Sequence, residues 1–106
     1  MLRPPRFLCE FEATRNGAVV AEASIGVQSA DEAVRWLRIC VETALHALEG
    51  KALSRATDFL ATLHESERAL EAGKSVNLSM AQEGLSMGWT ASPITAEKRT
   101  GRPTWT

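Results

Sequence analysis

Hydrophobic and polar residues alternate along two segments near the N-terminus, residues 6–14 and residues 18–27. A period of two is typical of strands that bury one face, so the pattern predicts two half-buried strands. A two-residue Asn-Gly turn would put their apolar faces on opposite sides. A three-residue loop over 15–17 pairs Phe11 with Ala21 and places both apolar faces on one side, so we predict that loop.

A helical period follows in the next part of the chain. Ser29 and Glu32 have the spacing of a capping box, in which each side chain bonds the backbone amide of the other residue. We therefore predict a helix over residues 30–49, with Gly50 as its C-terminal stop. Its predicted core face consists of Val34, Leu37, Val41, Ala44, Leu45 and Leu48, with Ala33 and Cys40 beside them.

A second helix is predicted over residues 52–72 and ends at Gly73. Glu67 interrupts its apolar stripe, so we expect the last turns to be peripheral. The short link makes the two helices antiparallel neighbours, the alternative being one helix bent at Gly50. The apolar stripe comprises Leu53, Ala56, Phe59, Leu60, Leu63 and Leu70.

Alternation with a period of two returns over residues 75–80 and 85–91. A four-residue loop between these segments pairs Met80 with Leu85 and again places both apolar faces on one side. We therefore predict a second hairpin. The alternative is a short helix capped by Ser79.

These elements, in the order β-β-α-α-β-β, predict an α+β fold. It is a small two-layer sandwich in which two antiparallel helices cover one face of an antiparallel sheet of two hairpins. The 106 residues are enough for one domain, which we assign to residues 1–94. Residues 95–106 have no periodicity and are predicted to form a basic tail. The domain carries nine Lys/Arg and twelve Asp/Glu, a net charge of −3, whereas the tail has a net charge of +2.

Side chains that could perform catalysis are sparse. The chain has two histidines, two cysteines and no tyrosine, and His46 and His64 fall on solvated helix faces several turns apart. Neither the spacing of a metal site nor a glycine-rich phosphate loop nor a nucleophile motif occurs. We expect a protein that is not an enzyme, has no metal or other cofactor and takes no small-molecule substrate.

Two further expectations concern redox state and location. Cys9 and Cys40 fall on predicted apolar faces, so we expect buried free thiols, with a disulfide as the alternative. The N-terminus has no apolar signal-peptide core, and no apolar run is long enough to span a bilayer. We therefore expect a cytoplasmic protein without a membrane partner.

Three apolar residues are candidates for a partner interface. Trp36 and Ile39 lie where the first helix should be polar, and Trp105 is the predicted anchor of the tail. The alternative for Trp36 and Ile39 is packing under the tail or a loop. We predict a non-catalytic protein–protein interaction module, acting as a homodimer or on a larger protein. An inhibitor, antitoxin, immunity or adaptor protein, including those of phages and plasmids, fits this size.

The basic tail supports a second hypothesis, an accessory protein that binds nucleic acid. Lys98, Arg99 and Arg102 provide its positive charge, and the sequence Gly101-Arg102-Pro103 resembles the core of an AT-hook. That resemblance implies arginine in the minor groove of A·T-rich DNA. An AT-hook has arginine before the glycine and basic residues after the proline, where this chain has threonine and Thr-Trp. Three phosphate contacts predict weak, salt-sensitive binding.

Overall fold

The computed structural model describes residues 4–94. The fold is α+β, as predicted: four antiparallel strands form one sheet, and helices lie on one of its faces. The elements are β1 (Phe7–Arg15), β2 (Ala18–Val27), α1 (Ala30–Ala44), a short 3-10 helix (Leu45–Ala47), α2 (Gly50–Ala61), α3 (Leu63–Glu71), β3 (Val76–Gln82) and β4 (Leu85–Pro93). The strand order is β2-β1-β4-β3, so the first strand of one hairpin pairs with the last strand of the other.

Two-residue turns close both hairpins. The central residues have positive φ, 50° at Asn16 and 86° at Gly17, then 49° at Glu83 and 80° at Gly84. Left-handed backbone at both central positions is the type I′ turn, whose twist matches that of paired strands. The predicted three-residue and four-residue loops are therefore wrong. The second hairpin itself is confirmed against the short helix, although its pairs lie two positions from the predicted ones.

A β-bulge in the first hairpin places the apolar residues of β1 and β2 on the same face of the sheet. Thr14 pairs with Val19, but Ala13 pairs with Ala21, so Val20 is an extra residue in β2. The pairs beyond the bulge lie two positions from the predicted ones, which keeps the apolar residues of both strands on one face. Val19 is not on this apolar face, because its partner Thr14 belongs to the opposite face of the sheet.

The predicted start of the first helix is confirmed. The Ser29 hydroxyl oxygen accepts a hydrogen bond from the Glu32 amide at 3.1 Å. The reciprocal half of the capping box differs from prediction, because the Ser29 hydroxyl donates to the Glu32 carboxylate at 3.3 Å. A side-chain bond to one of the free amides of the first turn is enough to begin the helix here.

The first helix ends five residues earlier than predicted. After Ala44 the chain forms one 3-10 turn, and Leu48 is extended and buried. The side chain of Gln82 holds this link: its amide donates to the Ala47 carbonyl at 2.8 Å, and its oxygen accepts from the Glu49 amide at 2.7 Å. Gly50 consequently begins α2 and does not end the first helix.

The predicted second helix divides at Thr62. The hydroxyl of this residue donates to the carbonyls of Asp58 at 3.1 Å and Phe59 at 3.3 Å. Side-chain bonds of this kind compete with the helical ladder and bend or break it. The predicted end at Gly73 is confirmed: its φ is +84°, and the Lys74 amide donates to the Ala69 carbonyl at 2.9 Å, as in a Schellman motif.

Two predictions about the second helical segment were wrong. Its last turns are not peripheral, because α3 packs against α1 and the sheet and leaves Leu70 only 1% exposed. Leu53, assigned to the core, is exposed, and its neighbour Ala52 is buried instead. The core lies between the helices and the strands β1, β4 and β3, and its largest fully buried side chains are Trp89, Leu37, Leu70, Val41 and Cys9.

Candidate functional site

The helical layer leaves one strand of the sheet uncovered. In β2 the residues 18–26 are all exposed, and only Val27 is buried. The helices lie mainly over the other three strands, and α1 makes only limited contact with β2. The prediction that β2 buries one face was therefore wrong. Large apolar side chains are left in solvent, among them Val20 at 55% and Ile25 at 44% exposure.

An apolar cleft lies between α1 and the sheet. Its volume is about 290 Å³, and it is lined by Phe11, Ile39, Cys40, Thr43, Ala44 and Trp89. The rings of Phe11 and Trp89 have their centroids 5.0 Å apart. The Thr43 hydroxyl donates to the Ile39 carbonyl at 2.7 Å, so it is already bonded within α1. The cleft is therefore suited to apolar side chains.

The cleft and β2 form one continuous surface, because Phe11 in the cleft pairs with Ala23 in β2. We call this the β2–α1 surface: the strand Ala18–Val27 together with the six cleft residues. Ile39 lies in it and is 54% exposed. Trp36 is half-buried, packs against the core and is not among the cleft residues. Trp105, Lys98, Arg99 and Arg102 lie outside the described residues, so those predictions remain untested.

The two thiols of this region are free, with Cys9 buried and Cys40 half-buried in the cleft wall. Burial, with a smaller contribution from the Cys40 charge, raises the pKa of Cys9 from 9.0 to about 11. Burial also raises the pKa of Cys40. Both groups are neutral thiols at physiological pH, and because the thiolate is the nucleophilic form, neither is activated for covalent chemistry.

The opposite face of the sheet carries carboxylates. Glu10, Glu12 and Glu22 line a shallow depression of about 540 Å³ on this side. Glu12 and Glu22 are directly paired across β1 and β2, an arrangement that like charges disfavour. Within residues 4–94, no group of three or more His, Cys, Asp or Glu side chains could hold a metal ion.

Sequence reasoning selected Ile39 but missed the rest of the surface. Periodicity placed Phe11 and the apolar residues of β2 in the core, because it identifies an apolar face without showing whether anything covers that face. The sequence did contain one signal for a missed cleft residue. Thr43 lies one helical turn after Ile39, so the two residues share the side of the helix that should be polar.

The chain matches no protein-family model, no curated protein and no solved structure. Across residues 4–94, none of the helices has the length and apolar character needed to cross a membrane.

Proposed function

We propose that this chain is a non-catalytic protein-binding module whose contact surface is the β2–α1 surface. The distribution of exposed apolar side chains carries this proposal. Of the five large hydrophobic residues exposed within residues 4–94, four lie in β2 or in the cleft beside it, Val19 being on the opposite face of the sheet with its partner Thr14. Those four are Val19, Val20, Ile25 and Ile39. Clustered apolar side chains on a small protein are typical of interaction sites.

The energetics favour a protein partner. Burying an aliphatic side chain completely is worth about 1.5–3 kcal/mol, so the half-exposed Ile25 and Ile39 each have roughly 1 kcal/mol left to gain. The cleft beside them contains two aromatic rings, and aromatic residues in apolar pockets are common anchors of interfaces. We place the protein among small chains that act by occupying a surface, such as inhibitors, antitoxins, immunity proteins and adaptors.

Photo-crosslinking from the cleft tests this proposal. Replacing Thr43 by p-benzoylphenylalanine puts a reactive ketone at the cleft wall, and irradiation in the native host should link it covalently to a bound protein. Ile39→Asp should remove that adduct, because a carboxylate in an apolar contact is costly to desolvate. The folded chain should keep its circular dichroism spectrum and melting temperature, since Ile39 is exposed.

Arg38→Asp is the matched control, because it adds the same carboxylate at the neighbouring exposed position, outside the cleft. It should leave the adduct intact. The proposal is wrong if position 43 yields no protein adduct, or if Ile39→Asp and Arg38→Asp affect the adduct equally.

A further inference from the structure

We infer that the occupant of β2 is a second copy of this chain, and that two β2 strands pair antiparallel into one continuous eight-stranded sheet. This inference rests on the proposed function, because it names the partner of the β2–α1 surface. Strand addition at a sheet edge combines backbone hydrogen bonds with side-chain contacts on both faces. Four features of the described residues support it: the protection of the two edges, the direction of the backbone amides, the register and the charge.

The two edges of the sheet are protected differently. At the β3 edge the Arg55 guanidinium donates to the Ser79 carbonyl at 3.0 Å, and Gln82 ties the strand end to the link between helices. Within residues 4–94, no side chain bonds a backbone atom of β2. This strand has ten residues and a single charge, Glu22. Long, apolar, unprotected edges are uncommon in native proteins unless another strand covers them.

The free backbone groups of β2 can be assigned from the hydrogen bonds of β1. The Arg6 carbonyl accepts from the Ile94 amide, beside β4, at 2.9 Å. The Phe7 amide belongs to the same peptide plane and therefore points the opposite way, toward β2. Because these directions alternate along paired strands, the odd-numbered residues of β2 after the bulge bond β1. The amides and carbonyls of Glu22 and Ser24 consequently lie on the free edge.

The bulge selects the register of the pair. Regular backbone runs from Ala21 to Val27, and a two-fold axis at Ser24 uses all seven positions, about 24 Å of strand. Ala23 then lies opposite Ile25 of the second copy, a small side chain against a large one. Glu22 lies opposite Gly26. The helices of both copies then lie on the same side of the joined sheet. The cleft of each copy faces the two uncovered β2 strands at the centre of that sheet.

Charge excludes a neighbouring register. A two-fold axis at Glu22 would place the Glu22 residues of the two copies directly opposite each other, with their Cα atoms roughly 5 Å apart. An axis at Ser24 separates them by four positions along the strand, about 14 Å. That separation exceeds the Debye length of about 8 Å at physiological salt, so the repulsion is largely screened. Self-pairing is thus compatible with the one charge in β2.

Ser24→Pro tests the pairing, since proline lacks the amide that the second copy would use, whereas the bonds of β2 to β1 involve the odd-numbered positions. Sedimentation velocity should show the wild type at twice the 11.5 kDa of one chain. Ser24→Pro should weaken the dimer about 10- to 100-fold, because symmetry removes two hydrogen bonds. Ser24→Ala keeps the amide and should remain dimeric.

A cysteine at the axis gives an independent readout if Ser24→Pro fails to fold. Ser24→Cys should form a disulfide between two copies when glutathione disulfide oxidises the two thiols, because directly paired residues have their Cα atoms about 5.5 Å apart. Peptide mapping should find the two introduced cysteines joined to each other. Asn77→Cys, on the protected edge strand β3, should not form this link.

The inference is overturned if the wild type is monomeric at every concentration. It is also overturned if Ser24→Pro leaves the dimer intact and Ser24→Cys forms no disulfide between two copies. The proposed function fails separately, when position 43 captures no protein at all. A monomer whose position 43 captures a different protein contradicts self-pairing and supports the binding module.

Discussion

Alkaline pH should destabilise this protein through one buried thiol. Cys9 is fully buried, and its pKa in the folded chain is about 11 compared with 9.0 for an unperturbed thiol. Because the pKa is raised by folding, the stabilisation is fully present below pH 9. It is lost as the pH rises toward 11, where the unfolded chain releases the proton more readily. A difference of about two pKa units corresponds to a loss of roughly 2–3 kcal/mol.

Urea unfolding between pH 8 and pH 11 measures this loss when a reducing agent keeps the thiols free. The chain has no tyrosine, which would otherwise titrate in the same range. Cys9→Ala is the control, because it lacks the titrating group while keeping a small apolar side chain. The free energy of unfolding of the wild type should fall by roughly 2–3 kcal/mol more than that of Cys9→Ala. Parallel pH curves for the two proteins would refute the reasoning.

Two glycines provide further tests by equilibrium unfolding. A Cβ added at Gly26 would lie 2.6 Å from the Pro5 Cβ, so Gly26→Ala should cost about 1–3 kcal/mol. Pro5→Gly should relieve most of this cost, and an unchanged cost in that background would contradict the contact. Gly73→Ala forces a left-handed residue at the end of α3 and should cost about 1 kcal/mol. Gly88→Ala, where a Cβ meets nothing within 4 Å, should not destabilise, so equal losses at both glycines would be evidence against the strain.

Local chemistry predicted much of this fold. Both hairpins, the start of α1 at Ser29 and the end of α3 at Gly73 were predicted from periodicity, capping and glycine. The alternate buried positions of β3 and β4 were predicted as well. These features depend on residues close together in the chain, and hydrophobic alternation preserves which face is apolar even where the turn length is mispredicted. Ile39, the one cleft residue selected in advance, was identified because it breaks the local pattern.

Tertiary contacts decided the rest. The Gln82 side chain holds a link more than thirty residues away, so no local signal marks the end of α1. The pairing of β1 with β4 places β2 at an edge, beyond most of the helical layer. The sequence by itself determined which face of each strand is apolar. Only the packed structure decided whether that face is covered, because coverage depends on how far the helices extend across the sheet. In β2 this leaves the surface that we propose binds a protein.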